Sequence, residues 1–202
     1  MKKTILINAL LILFIAACGC SKDNMQDELP PITQTGANTF GFVYDGVVFI
    51  PTDSKSRGFG AGGSASGLSI TGSHFDTEHY SNAIDATRYT NTENVHYIYI
   101  YMYRLASIGI GTYTLDKGGD LSWPYHSYIY MRGKSATTGK WTEYYSYKNS
   151  GVITITRKDE DNNVFSGTFS GKLQNQEGTE MVEVTQGRFD INIKLISVNN
   201  GG

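Results

Sequence analysis

Residues 95–103 read VHYIYIYMY, and for nine positions two kinds of side chain alternate. Successive side chains of a β-strand point to opposite faces. As a strand, this run puts Tyr97, Tyr99, Tyr101 and Tyr103 on one face and His96, Ile98, Ile100 and Met102 on the other. A helix would scatter the same residues around its axis. The pattern therefore calls for a sheet with two chemically different faces. It recurs in Ser127 to Arg132, where Tyr128 and Tyr130 oppose Ile129 and Met131, and Trp141, Tyr145 and Tyr147 form a further stripe. Ile and Met lose less than Tyr on leaving water, and a buried Tyr hydroxyl needs a partner. The expectation is Ile/Met inward and a Tyr-rich face outward.

The rest of the chain reads as more strands and turns. Thr39 to Tyr44 and Val47 to Ile50 flank Asp45-Gly46, a pair that tolerates the positive φ of a type I′ hairpin turn. Pro51 stops the second run. Leu68 to Thr71, Ala83 to Thr90 and Gly111 to Leu115 are further strands. Trp141 to Tyr147 follows Ser127 to Arg132 across GKSATTGK. Val152 to Arg157 and Val164 to Lys172 flank KDEDNN, and Glu180 to Val184 and Gly187 to Ile196 complete the series. Apolar residues at i, i+3, i+4 and i+7 recur in no convincing window. Short strands with frequent turn signals argue for an all-β fold: an antiparallel β-sandwich of about 9–11 short strands, with a lipocalin-like β-barrel as the alternative.

The amino terminus sets a location. Lys2 and Lys3 precede an apolar run from Thr4 to Ile15 broken only by Asn8. That run is shorter than the roughly 20 residues of a membrane-spanning helix and fits a secretory signal. Ile15-Ala16-Ala17-Cys18 resembles the lipobox of bacterial lipoproteins. The resemblance implies cleavage before Cys18, a diacylglycerol on its thiol and acylation of the new amino group. Several acyl chains together anchor stably, at roughly 0.8 kcal/mol per buried methylene. Cys20 is the rival acceptor. The residues before it fit the lipobox less well, but Cys20-Ser21-Lys22-Asp23 resembles the start of many mature Bacteroidetes lipoproteins. The organisation expected is a signal peptide over 1–17, a lipidated N-terminus and flexible tether over 18–37, and a single all-β domain over 38–202. With both cysteines at the lipobox, a disulfide framework is excluded for that domain.

Charge and motifs narrow the chemistry. The chain has 17 basic and 19 acidic residues, and losing Lys2 and Lys3 leaves 15 against 19, about −4. Lys and Arg do not cluster, so nucleic-acid binding has no electrostatic footprint. His74, Asp76 and Glu78 of HFDTEH, next to His79, would share a strand face at a spacing that could ligate a metal, but a solvated edge or loop explains them better, and no metal is expected. Asp159, Asp161 and Asn163 echo a calcium loop without its glycine and glutamate, and read as a hairpin turn. Gly58, Gly60 and Gly63 satisfy G-x-G-x-x-G without the strand and helix that give it meaning, and read as a loop. His74, His79, His96 and His126 could each serve a serine as a base, but there is no G-x-S-x-G elbow to assemble a triad around.

TQTGANTFGFVYDGVVFIP, GTYTL, GVITITRKDEDNNVFSGTFSGKL and VEVTQGRFDI together resemble an uncharacterised family of Bacteroidetes lipoproteins. The ends of the domain match best; apart from GTYTL, the middle, roughly residues 73–150, does not carry the likeness. The resemblance implies an all-β secreted domain and no activity.

The function expected is that of a lipid-anchored cell-envelope lipoprotein with a non-enzymatic binding or structural role, without cofactors. Its expected partners are the membrane, through the anchor, and a glycan or an envelope protein, with the location the outer membrane or cell surface. One alternative is a carbohydrate-binding module using the Tyr face; another is a hydrolase with an unrecognised site. Mass spectrometry of the mature N-terminal peptide is expected to find acyl chains on Cys18, or failing that on Cys20. A soluble product with both thiols free would end the anchoring reading.

Overall fold

The computed structural model describes residues 28–54, 66–71, 82–89, 96–118 and 125–198. Cys18, Cys20, His74, Asp76, Glu78, His79 and the Gly58, Gly60, Gly63 loop lie outside them.

The fold is all-β. Its twelve strands are β1 (Thr39–Tyr44), β2 (Val47–Phe49), β3 (Leu68–Thr71), β4 (Asn82–Arg88), β5 (His96–Met102), β6 (Gly111–Thr114), β7 (Tyr128–Lys134), β8 (Trp141–Tyr145), β9 (Gly151–Asp159), β10 (Val164–Gln174), β11 (Met181–Asn192) and β12 (Ser197–Val198). Among the described residues a four-residue helix, α1 (Leu105–Ile108), follows β5. The strands form one curled sheet, a half-barrel, in the order β12-β3-β4-β5-β7-β8-β10-β11-β1-β2. Every strand pair is antiparallel except β12 with β3. The sheet forks at β10, which pairs β9 from Val164 to Gly171 and meets β8 through Gln174 and Tyr145. β6 continues the β9 branch.

Local chemistry explains the elements. Asp45 and Gly46 take φ of 45° and 80°, the two positive values a type I′ turn requires. At the β9–β10 turn the Asp159 carboxylate accepts from the Asn162 backbone at 3.0 Å and the Asn162 amide at 2.9 Å, so the calcium-like residues form the hairpin turn. The sequence splits the last long strand at Thr185-Gln186, whereas β11 runs through it. Gln186 has φ of 53°, and Thr185 and Gln186 together face Ser170, so the break is a β-bulge inside one strand. α1 and β12 are additions that short windows without clear periodicity do not signal.

The concave side holds a single core. Phe42 stacks on Phe49 at 4.7 Å across β1 and β2, and Phe40 stacks on Phe169 at 5.5 Å. Ile98, Ile100 and Met102 of β5 and Ile129 and Met131 of β7 reach the same interior and are buried. Each such side chain contributes roughly 1.5–3 kcal/mol by leaving water. The Phe169 ring lies across Gly187, where a Cβ would approach it to 2.6 Å, so β11 needs a glycine there.

Residues before β1 are part of the folded body. Asp190 of β11 is 1% exposed. Its carboxylate accepts from the Thr33 hydroxyl at 2.7 Å, from the backbone N–H groups of Thr35 at 2.9 Å, Gly36 at 2.8 Å and Ala37 at 3.2 Å, and from the Ser166 hydroxyl of β10 at 2.7 Å. The Arg188 guanidinium donates to the Pro30 carbonyl, and that of Arg157 to Gln34. The stretch read as the end of a tether is thus docked from Pro30 onward. Its partners sit more than 120 residues away in sequence, where local patterning does not reach.

Burial alone would push the Asp190 carboxyl up, but the donors from Thr33, Ser166, Thr35 and Gly36 outweigh it and hold the group well below the usual carboxylate range. An unfolded Asp titrates near about 3.9. The contribution of Asp190 is therefore complete above that value and is lost as pH falls below it towards the folded value. Asp190→Ala is expected to lower the unfolding free energy by about 3 kcal/mol, because buried donors lose a charged acceptor; urea unfolding at pH 7 measures it. Asp190→Asn is expected to give a flatter melting-temperature curve between about pH 5 and 2 than the native chain. An unchanged slope would show that another group governs the acid limb.

Candidate functional site

Strand alternation separates β5 as its side chains require. Ile98, Ile100 and Met102 are fully buried, whereas Tyr97, Tyr99 and Tyr101 lie on the opposite, convex face and are half-buried. Pairing carries that face across the sheet. Asp85 of β4 faces Tyr99 of β5, Tyr99 faces Tyr130 of β7, and Tyr130 faces Tyr145 of β8. With strands about 4.8 Å apart, this row spans about 14 Å. Tyr101 faces Tyr128 in the next row, and Tyr97 faces Arg132, which faces Glu143, in the row on the other side.

The rings touch as pairs. Tyr97 lies 5.9 Å from Tyr130, and Tyr130 lies 5.2 Å from Tyr145. Tyr128 stacks on Tyr101 at 5.1 Å and lies tilted against Tyr99 at 5.9 Å. Such contacts stabilise a sheet by roughly 0.2–1 kcal/mol per pair. The result is an aromatic ribbon over β5, β7 and β8 made of two ring clusters side by side, Tyr99–Tyr128–Tyr101 and Tyr97–Tyr130–Tyr145.

Two members of the sequence-derived set behave differently. Tyr128 is 7% exposed, because the backbone at Gly118 closes over its ring; a Cβ there would sit 3.0 Å from it. Ser146 holds this cover in place: the Gly118 N–H donates to the Ser146 carbonyl, and the Ser146 hydroxyl donates to the Asp116 carbonyl at 2.6 Å. Tyr128 is thus the base of the ribbon and not part of its contact surface. Tyr103 lies beyond the end of β5 and packs edge-on against Tyr125, which is 82% exposed.

The ribbon ends in carboxylates that the tyrosine pattern did not single out. The Tyr97 hydroxyl donates to Asp85 at 2.6 Å, and the Thr71 hydroxyl of β3 donates to the other Asp85 oxygen at 2.9 Å. At the far side, the Tyr145 hydroxyl donates to Glu143 at 2.7 Å. Asp is depleted from strands, so an aspartate inside Ala83 to Thr90 was the available signal. Burial pushes the Asp85 carboxyl up, and the bonds from Tyr97 and Thr71 offset this only in part. Burial likewise pushes the Tyr128 and Tyr130 hydroxyls up to about 12, and those of Tyr97, Tyr99 and Tyr145 are raised by the same cause. All five remain protonated at physiological pH, each able to donate one hydrogen bond and accept others.

The described histidines stand elsewhere. His96 shares a 2.8 Å hydrogen bond with the Tyr44 hydroxyl and packs edge-on against Trp141 at 4.7 Å. His126 Nε2 meets the Lys117 carbonyl. Among the described residues no group of three His, Cys, Asp or Glu side chains is placed to hold a metal ion.

The two faces of β5 predict two different costs. Ile100→Ala is expected to destabilise by about 3 kcal/mol, since it opens a cavity in the core. Tyr99→Ala is expected to cost about 1 kcal/mol, the loss of ring contacts on a half-open face. Chemical denaturation of both variants checks this, and equal costs would make the tyrosine ring part of the core.

The sequence profile of a family described as a domain of unknown function, DUF6252, matches residues 72–191. The match takes in the central region, 73–150, where GTYTL alone carries the resemblance. No curated protein and no solved structure matches the chain. With more than half of its 202 residues matched, the chain belongs to the DUF6252 family.

Proposed function

We propose that this DUF6252 protein is a lipid-anchored lipoprotein of the cell envelope, of the Bacteroidetes type, that binds a partner through its tyrosine face and performs no catalysis. The anchor rests on the lipobox-like Ile15-Ala16-Ala17-Cys18, with Cys20 as second acceptor. The outer membrane or cell surface follows from that anchor.

The observation that carries the binding role is the register of Asp85, Tyr99, Tyr130 and Tyr145 in one row on the convex face. A sheet needs apolar or β-branched residues on its buried side only. The exposed side tolerates Lys, Glu and Thr, which cost little to solvate. Aromatic side chains concentrated there in neighbouring strands are the composition of contact surfaces, where rigid rings with polar tips give large area at small entropy loss.

Hydroxyl-radical footprinting, which reads side-chain accessibility directly, tests the role. In intact cells Tyr99, Tyr130 and Tyr145 are expected to be oxidised several-fold more slowly than in the purified protein, while Tyr125 reacts equally in both. Equal oxidation of all four residues in the two states would remove the binding reading.

A further inference from the structure

We infer that the ligand of the tyrosine face is a neutral carbohydrate chain, laid across β5, β7 and β8 and hydrogen-bonded at one end to Asp85. The inference rests on the binding role proposed above and names the chemistry of the partner.

The ribbon offers two things together. Tyr99, Tyr130 and Tyr145 stand in register across about 10 Å of sheet, about 14 Å counted from Asp85, a length that accommodates two to three sugar rings. Pyranose rings carry C–H groups on their faces that pack on aromatic planes, and hydroxyls on their rims that need donors and acceptors. Tyr supplies both from one side chain, an apolar body with a polar tip. Between the terminal carboxylates the line of tyrosines is uncharged, and Arg132, one row away, has its guanidinium 5.9 Å over the Trp141 ring. An anionic polymer would meet Asp85 and Glu143 as repulsive groups. A neutral polyol meets them as acceptors.

Asp85 is the group that sets polarity. Its two oxygens already take one hydrogen bond each, from Tyr97 and Thr71, which fix the carboxylate plane. Each oxygen keeps capacity for another donor. Two adjacent sugar hydroxyls would fill it, and hydrogen bonds to a charged acceptor are the strong ones. The carboxylate is half-buried at the ribbon's end, beside Tyr99. A chain lying on the ribbon would bring its terminal ring there.

The test uses the full-length protein in detergent. Native gels are cast with mannan, xylan, laminarin or starch, and pull-downs are run on chitin and on peptidoglycan sacculi. Retention by at least one of these polysaccharides is expected. Asp85→Asn is expected to weaken it about tenfold, the loss of roughly 1.4 kcal/mol from a charged acceptor, with the folded state confirmed by an unchanged circular dichroism spectrum at the assay temperature. Tyr99→Ala is expected to abolish it, and Tyr99→Phe, which keeps the ring and loses the hydroxyl, to weaken it a few-fold. Retention of Asp85→Asn and Tyr99→Ala at native strength would overturn the assignment by placing the sugar elsewhere. Protection of the face in cells without retention on any matrix would also overturn it, and would leave a protein as the partner. Absence of protection in cells removes the binding role itself, a separate outcome.

Discussion

One buried carboxylate ties the molecule together. Asp190 sits where β11 passes β10, and it gathers donors from Thr33, Thr35, Gly36 and Ala37 at one end of the chain and from Ser166 in the middle. A charge removed from water is tolerated only when it is fully hydrogen-bonded. Asp190 meets that condition solely with the pre-β1 segment in place, so the segment and the β10–β11 hairpin specify each other. The phenylalanine cluster of β1, β2 and β10 forms against the same strands. Docking the segment also sets the geometry of the proposed anchor: a pull on the N-terminus would load the stretch from Pro30 to Ala37, which Arg188, Arg157 and Asp190 hold.

Curvature is the second constraint. A sheet of twelve strands cannot stay flat and bury one face. Bulges bend it where β11 passes Ser170 and where β1 slips between Gly41 and Val43. β10 changes partner from β9 to β8 beyond Gly171, which creates the fork. Curling closes the Ile, Met and Phe side chains into one interior. It leaves Tyr97, Tyr99, Tyr101, Tyr130 and Tyr145 half-buried on the convex side, where the rings lean on one another and on the covered Tyr128.

Much of this was legible in residue patterns of local range. The alternation of 95–103 separated the two faces of β5 correctly because a period of two survives any tertiary context. Asp45-Gly46 marked its hairpin for a similarly local reason: few residues accept two positive φ values in succession. What escaped depends on distance or on ambiguity. Gln186 in a left-handed conformation looks like a strand end, and only the paired strands on both sides show it to be a bulge. The docking of Thr33 to Ala37 depends on an aspartate about 155 positions away. The burial of Tyr128 depends on the backbone near Gly118, held by Ser146, and no feature of the YIYMR stretch announces it. Asp85 was overlooked because a single aspartate gains meaning only beside Tyr97 and Thr71, which arrive from neighbouring strands.

Two aspartates of this fold have opposite electrostatics. Asp190 is surrounded by enough donors to overcome its burial, so its ionised form is favoured and the native state gains from it. Asp85 has two hydroxyl donors, from Tyr97 and Thr71, and burial outweighs them, so its charge is carried at a net penalty. An asparagine of the same shape would keep one of the two acceptor oxygens and lose the other. In the proposed binding role, Asp85 at the end of the aromatic row offers the remaining capacity of its two oxygens to a ligand. In that reading a ligand's hydroxyls would complete the shell that Tyr97 and Thr71 begin around Asp85, and the uncharged tyrosine hydroxyls beside it suit a neutral ligand.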